Sequence, residues 1–93
     1  MQTNVITIEK EALEKVQFPT EEVLLNEHDK VNRMEALRRA LWLGNTEKLK
    51  VKIWLEGKWK KYLVETTIWG LTPDRVILKR GVTLPVSRIF KVL

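Results

Sequence analysis

Apolar positions recur with a helical period in the first half of the chain and with a period of two in the second. From Glu9 to Gln17, Ala12, Leu13 and Val16 share one side of a predicted helix whose other positions are mostly charged. Pro19 ends that segment, because a proline biases the residue before it, Phe18, out of helical backbone geometry. Thr20 is placed to cap a short turn through Glu21-Glu22-Val23, and Val23-Leu24-Leu25 reads equally well as extended chain. The main helix is predicted over about residues 33–43. Asn32, with Glu35 three residues on, starts it in the manner of a capping box. Met34, Leu37 and Leu41, with either Val31 or Trp42, form its apolar stripe, and Gly44-Asn45 supplies a left-handed stop.

Beyond this point the side chains alternate. Leu49, Val51, Ile53 and Leu55 interleave with Lys48, Lys50, Lys52 and Trp54, the signature of a half-buried strand, and Glu56-Gly57-Lys58 is a hairpin turn. Trp59 to Trp69 is a long second strand with two candidate inward faces, Tyr62, Val64, Thr66 and Ile68 or Lys61, Leu63, Glu65, Thr67 and Trp69; charge favours the first, and the length predicts a bend. Gly70-Leu71-Thr72-Pro73-Asp74 turns the chain into a third strand, Arg75 to Lys79. Arg80-Gly81 leads to a fourth, Val82 to Val86, and Ser87-Arg88 to a fifth, Ile89 to Leu93. The four glycines, at 44, 57, 70 and 81, each fall at the end of a predicted element, where a residue without Cβ is least costly.

The expected fold is therefore α+β: N-terminal helices packed on a five-stranded antiparallel sheet, strongly bent or closed as a small barrel. The cadence from Leu49 to Val92 resembles Sm-like and SH3-like small barrels. Its closing run, Leu84-Pro85-Val86-Ser87-Arg88-Ile89, resembles the end of YolD-like proteins and of WYL domains, and a helix ahead of the sheet fits the YolD-like layout. The Trp-Tyr-Leu triplet that names WYL domains is absent, with Trp59-Lys60-Lys61-Tyr62-Leu63 in its place. The resemblance covers about half the chain. It implies a small barrel and a role in nucleic-acid transactions or ligand-sensing regulation.

Length and charge narrow the class of protein. Ninety-three residues suit a single domain, with residues 1–45 as its helical half and residues 46–93 as its basic β-meander. The net charge of +5 is unevenly divided. Residues 1–45 hold six Lys/Arg against eight Asp/Glu, or −2, and residues 46–93 hold eleven against four, or +7. Such an asymmetry suits either an anionic partner or a sheet whose edges lysines keep from aggregating. The chain has no cysteine, so thiolate chemistry and disulfide staples are excluded. The stretch Met1 to Glu9 lacks the basic segment and apolar run of a signal peptide, and no window is apolar enough to span a bilayer. A cytoplasmic protein with no membrane partner is expected.

Catalytic chemistry finds few residues. His28, the only histidine, and Ser87, the only serine, are far apart in sequence, and neither belongs to a nucleophile–base–orienter set. Glu27-His28-Asp29 is the one metal-like cluster, but adjacent residues do not converge on an ion, so it reads as a solvated loop. No glycine-rich phosphate loop occurs. The expectation is a non-enzymatic binding module with no cofactor and no metal.

The strongest functional signal is the mixture of lysine and tryptophan. Lys50, Lys52 and Trp54 should look outward from the first strand, with Lys58, Trp59, Lys60 and Lys61 across the hairpin and Arg75, Lys79 and Arg80 widening the patch. Cations that neutralise phosphates, interleaved with aromatic plates that stack on bases, suit single-stranded nucleic acid. The alternative is a protein partner or a second copy of the chain, since tryptophans also anchor protein interfaces. In a third arrangement Trp54, Trp59 and Trp69 pack beneath the N-terminal helices.

Overall fold

The computed structural model describes residues 4–93, so Met1–Thr3, the start of the stretch that lacks a signal peptide, lie outside it. Strand β1 is Val5–Thr7, and a 3-10 helix, Lys10–Lys15, follows. An irregular strap then leads into α1, Glu27–Glu47. Strands β2 (Val51–Glu56) and β3 (Lys61–Thr66) form a hairpin, and β4 (Ile68–Leu71), β5 (Arg75–Leu78) and β6 (Thr83–Pro85) form a meander. A 3-10 turn, Val86–Arg88, leads into β7, Ile89–Val92.

The fold is α+β, as the pattern predicts, but the described residues hold one α-helix and seven short strands in two sheets, not several helices and five strands. The predicted long strand breaks at Thr67. Its first part, β3, lies between β1 and β2 in a sheet of order β1-β3-β2-β7, and its second part, β4, opens a sheet of order β4-β5-β6. The expected bend is present, yet no barrel closes. The turn Val86–Arg88 carries the chain from the edge of the small sheet to the edge of the large one, and β6 and β7 are not neighbours in either sheet. The additional strand is β1, a β-branched run that pairs in parallel with β3, Val5 opposite Lys61 and Thr7 opposite Leu63.

Residue placement follows the pleat. Val51, Ile53 and Leu55 from β2, Val64 and Thr66 from β3 and Ile68 from β4 face inward. They meet Val76, Leu78, Leu84, Val86 and Ile89 in one core, which Leu13 and α1 residues Leu37 and Ala40 complete. Leu49, expected inward, is exposed ahead of β2, and Ala12 is exposed beside the buried Leu13.

Helix α1 is longer than predicted at both ends. Its N-cap is Asn26, whose side chain accepts from the Asp29 N–H at 2.8 Å. Glu27-His28-Asp29 is thus the first helical turn, where its carboxylates suit the positive end of the dipole, and not a loop. The inner stripe is Met34, Leu37, Ala40, Leu41 and Gly44. Val31 and Trp42, one of which was expected in it, both face solvent. Gly44 does not stop the helix. It lies buried against the bent strand, where an added Cβ would stand 2.5 Å from the Ile68 carbonyl oxygen and 3.0 Å from Thr67 Cγ2. The stop comes at Lys48, which takes the left-handed conformation at φ 56° and donates its N–H to the Leu43 carbonyl.

Two arginines tie the strap to this frame. The Arg33 side chain is buried; it donates to both oxygens of the Glu22 carboxylate at 2.6 and 2.5 Å and to the Ile89 carbonyl at 3.0 Å. Arg88 donates to the Glu56 carbonyl at 2.9 Å and the Glu21 carbonyl at 2.7 Å. Val23 adds a backbone bond to the Ser87 carbonyl at 3.0 Å. The strap is therefore neither helix nor strand at Val23, where the chain bends, and side chains from distant elements supply its partners.

Two expectations follow. Gly44→Ala should destabilise the fold by about 1–3 kcal/mol, because the clash with a backbone oxygen outweighs the ~1 kcal/mol that alanine gains in a helix. A lowered urea midpoint would show it. The hydrogen bonds from Arg33 hold the Glu22 carboxyl below its ordinary value of 4.5, against a smaller opposing effect of burial. A depressed folded-state value gives stability that is complete above the unfolded value and is lost as pH falls through the folded one. Denaturation curves from neutral pH down to pH ~3 should show Glu22→Gln less stable at neutrality and less sensitive to acid than the parent.

Candidate functional site

The ten side chains that the sequence groups together occupy five places. Lys52 and Trp54 lie on the outer face of the large sheet. Lys52 is in register with Glu65 on β3, and Trp54 with Leu63 on β3 and Lys91 on β7. The indole of Trp54 is half-buried, with the Lys91 ammonium 4.8 Å from its ring centre. It is neither fully outward nor enclosed by the core.

The hairpin tip carries the second group. Gly57 donates to the Lys60 carbonyl at 2.8 Å, closing the turn, and Lys58 donates to the Gln17 carbonyl at 3.0 Å. Trp59 projects from this tip, 81% exposed, with the Lys58 ammonium 5.0 Å from its ring centre. Lys60 is exposed beside it, and Lys61, opposite Glu56, reaches over Phe90 at 5.2 Å.

Arg75 stands apart. It donates to Thr83 Oγ1 at 2.8 Å and borders a shallow pocket with Phe18, Pro19, Pro85 and Ser87. Arg80, left-handed at φ 64°, is exposed in the turn between β5 and β6. It contributes, after the dominant hydrogen bond from Lys10, to holding the Glu11 carboxyl below its ordinary value.

The remaining two, Lys50 and Lys79, meet where the sequence did not place a site. A cleft of about 550 Å³ lies between the C-terminal end of α1, the start of the first 3-10 helix and the bend at Thr67. Lys10, Lys48, Lys50 and Lys79 line it, together with Glu9, Glu65, Thr66, Thr67, Asn45 and Trp69. Four lysines and two glutamates line it, and the Lys10 ammonium is already ion-paired with Glu11, so the local excess is one positive charge. At its wall stands Trp69, 56% exposed, with the Lys79 ammonium 5.9 Å from its ring centre.

Local backbone geometry explains why this indole is available. Ile68 pairs with Leu78 and Gly70 with Ile77, so Trp69 is the extra residue of a β-bulge, and a bulge turns its side chain away from the regular pleat. Gly70 has Ile77 packed where a Cβ would be, 3.2 Å from that position. Lys48 and Lys50 reach the cleft because α1 continues past Gly44 and reverses through the left-handed Lys48. Their charge also complements the negative end of the helix dipole.

Sequence reasoning missed Lys10, Lys48, Asn45 and Trp69. The usable signal was the pair Gly44 and Gly70, each able to admit a close neighbour, flanking residues that the bend at Thr67 brings together. Among the described residues no group of three or more His, Asp or Glu is placed to hold a metal ion, and no helix is long and apolar enough to cross a membrane. Compared with protein-family models, with curated proteins and with solved structures, the chain finds no match.

Proposed function

We propose that this chain is a small non-enzymatic module that binds single-stranded nucleic acid, with the Trp69 cleft as its central contact. The observation that carries this reading is the gathering of Lys10, Lys48, Lys50 and Lys79 around one cleft walled by the half-exposed indole of Trp69. A nucleotide offers a planar base and an anionic phosphate a few ångströms apart, and the cleft offers an aromatic plate and ammonium groups at comparable spacing. Base stacking is tolerant of sequence, so the module has little need to read base edges. Trp59 and Lys58, Lys60 and Lys61 at the hairpin tip form a second aromatic-cationic element for a strand leaving the cleft. The role agrees with the nucleic-acid transactions that the YolD-like resemblance implies. Glu9 and Glu65 keep the cleft from acting as a bare sink for any anion, because an incoming phosphate must approach from the lysine side.

Titration of the protein with a short single-stranded oligonucleotide at low salt should quench its tryptophan fluorescence. If all four lysines neutralise phosphates, the plot of log affinity against log salt should have a slope of roughly −0.7 for each, or about −3 in total. Trp69→Ala should weaken binding by about 1–3 kcal/mol with the slope unchanged, whereas Lys50→Ala should reduce the slope by about 0.7. Affinity that is unaffected by Trp69→Ala, or that does not depend on salt, would overturn the assignment.

A further inference from the structure

A separate surface lies on the opposite side of α1 from the core. The residues of this helix that face solvent include His28, Val31, Glu35, Arg38, Trp42 and Asn45, spaced alternately three and four apart. That is the a/d spacing of a coiled-coil seam, and here it points away from the protein's own interior. The inward stripe of Leu37, Ala40, Leu41 and Gly44 already fastens the other side of the helix to β4 and β7. Two large apolar side chains on the free seam are exposed, Val31 at 52% and Trp42 at 62%.

The seam is complementary to itself when reversed. In an antiparallel pair of α1 helices whose two-fold axis passes between residues 36 and 37, Val31 of one copy faces Trp42 of the other. Glu35 faces Arg38, and His28 faces Asn45. Each apolar residue thus meets an apolar one and each central charge meets its opposite, and the two-fold repeats both pairings. An antiparallel coiled coil sets a positions against d positions, which is the match this register gives. A parallel pairing would instead stack Glu35 on Glu35 and Arg38 on Arg38, so the charges select the antiparallel form.

We infer that α1 is a homodimerisation helix and that a second copy of this chain, antiparallel across the Val31–Trp42 seam, is its partner. The interface is isologous, as closed two-fold symmetry requires. It has a tryptophan near each end and a charge pair at its centre, on a helix held rigid from behind by Gly44 and Arg33. Asn45 also lines the Trp69 cleft, so the dimer sets its two clefts at opposite ends of the seam.

Sedimentation equilibrium of the full chain, from micromolar to millimolar concentration, should show a monomer–dimer equilibrium. Arg38→Glu and Glu35→Arg each place like charges face to face and should weaken the dimer at least roughly tenfold. An equimolar mixture of those two variants restores opposite charges between chains and should recover a heterodimer. The mixture leaves each variant's own helix unchanged, so recovery reports the pairing and not helix stability. Because the chain has no cysteine, Val31→Cys mixed with Trp42→Cys should cross-link on oxidation. Val31→Cys alone should not, since the two copies of residue 31 lie ~16 Å apart along the seam. A wild-type chain that stays monomeric at every concentration, or a mixture that forms no heterodimer, would overturn the proposal.

Discussion

Helix α1 packs against the bent strand through Gly44, and much of the structure is arranged around that contact. An added Cβ there would stand 2.5 Å from the Ile68 carbonyl oxygen, so only a residue without a side chain lets α1 cross the bent strand at this depth. The crossing sets which residues of α1 enter the core and which remain outside. It also brings the end of the helix beside the bulge at Trp69, so that Lys48 and Lys50 face an indole from a different sheet. The same contact explains how a thin two-sheet core holds a helix of 21 residues, most of whose surface is polar.

Arginine and lysine divide the work of this basic chain. Arg33 and Arg88 are buried, and their planar donor sets satisfy a carboxylate and backbone carbonyls on the strap, the hairpin and β7. The lysines line the surface as mobile point charges, several of them over aromatic rings. Burying a guanidinium is costly, and one nitrogen, Arg33 Nε, stays without a partner among the described residues. The remaining donors replace what regular secondary structure would have supplied to a segment that has none.

Much of the architecture was legible because β-strands of alternating burial write their pattern directly. The inward set Val51, Ile53, Leu55, Val64, Thr66 and Ile68 follows from period two, as do the turns at Gly57 and Gly81. The helix was foreshortened because its first turn is all polar and its glycine looked like a stop. A glycine that ends a helix and one that admits a neighbouring strand are the same letter, and only the tertiary contact separates them. The lysine and tryptophan composition was visible, but its assembly was not. Trp54 and Trp59 lie near each other in sequence yet belong to different surfaces, while Trp69 joins Lys10 from the other end of the chain. A bulge decides that outcome, and it is a two-residue event that alternation alone cannot locate.

The parallel pairing of β1 with β3 has a consequence for how the chain assembles. Val5 is held opposite Lys61, so the first strand cannot find its place until a partner 56 residues later has been made. Every other strand pair apart from β2 with β7 closes over a short stretch of chain. Contacts this distant in sequence carry the largest loop-closure penalty and form late. During synthesis the outer edge of β3 is therefore open for a time, and its backbone groups are available to any extended peptide nearby. The strand that finally seals that edge, β1, lies ahead of β3 in the chain.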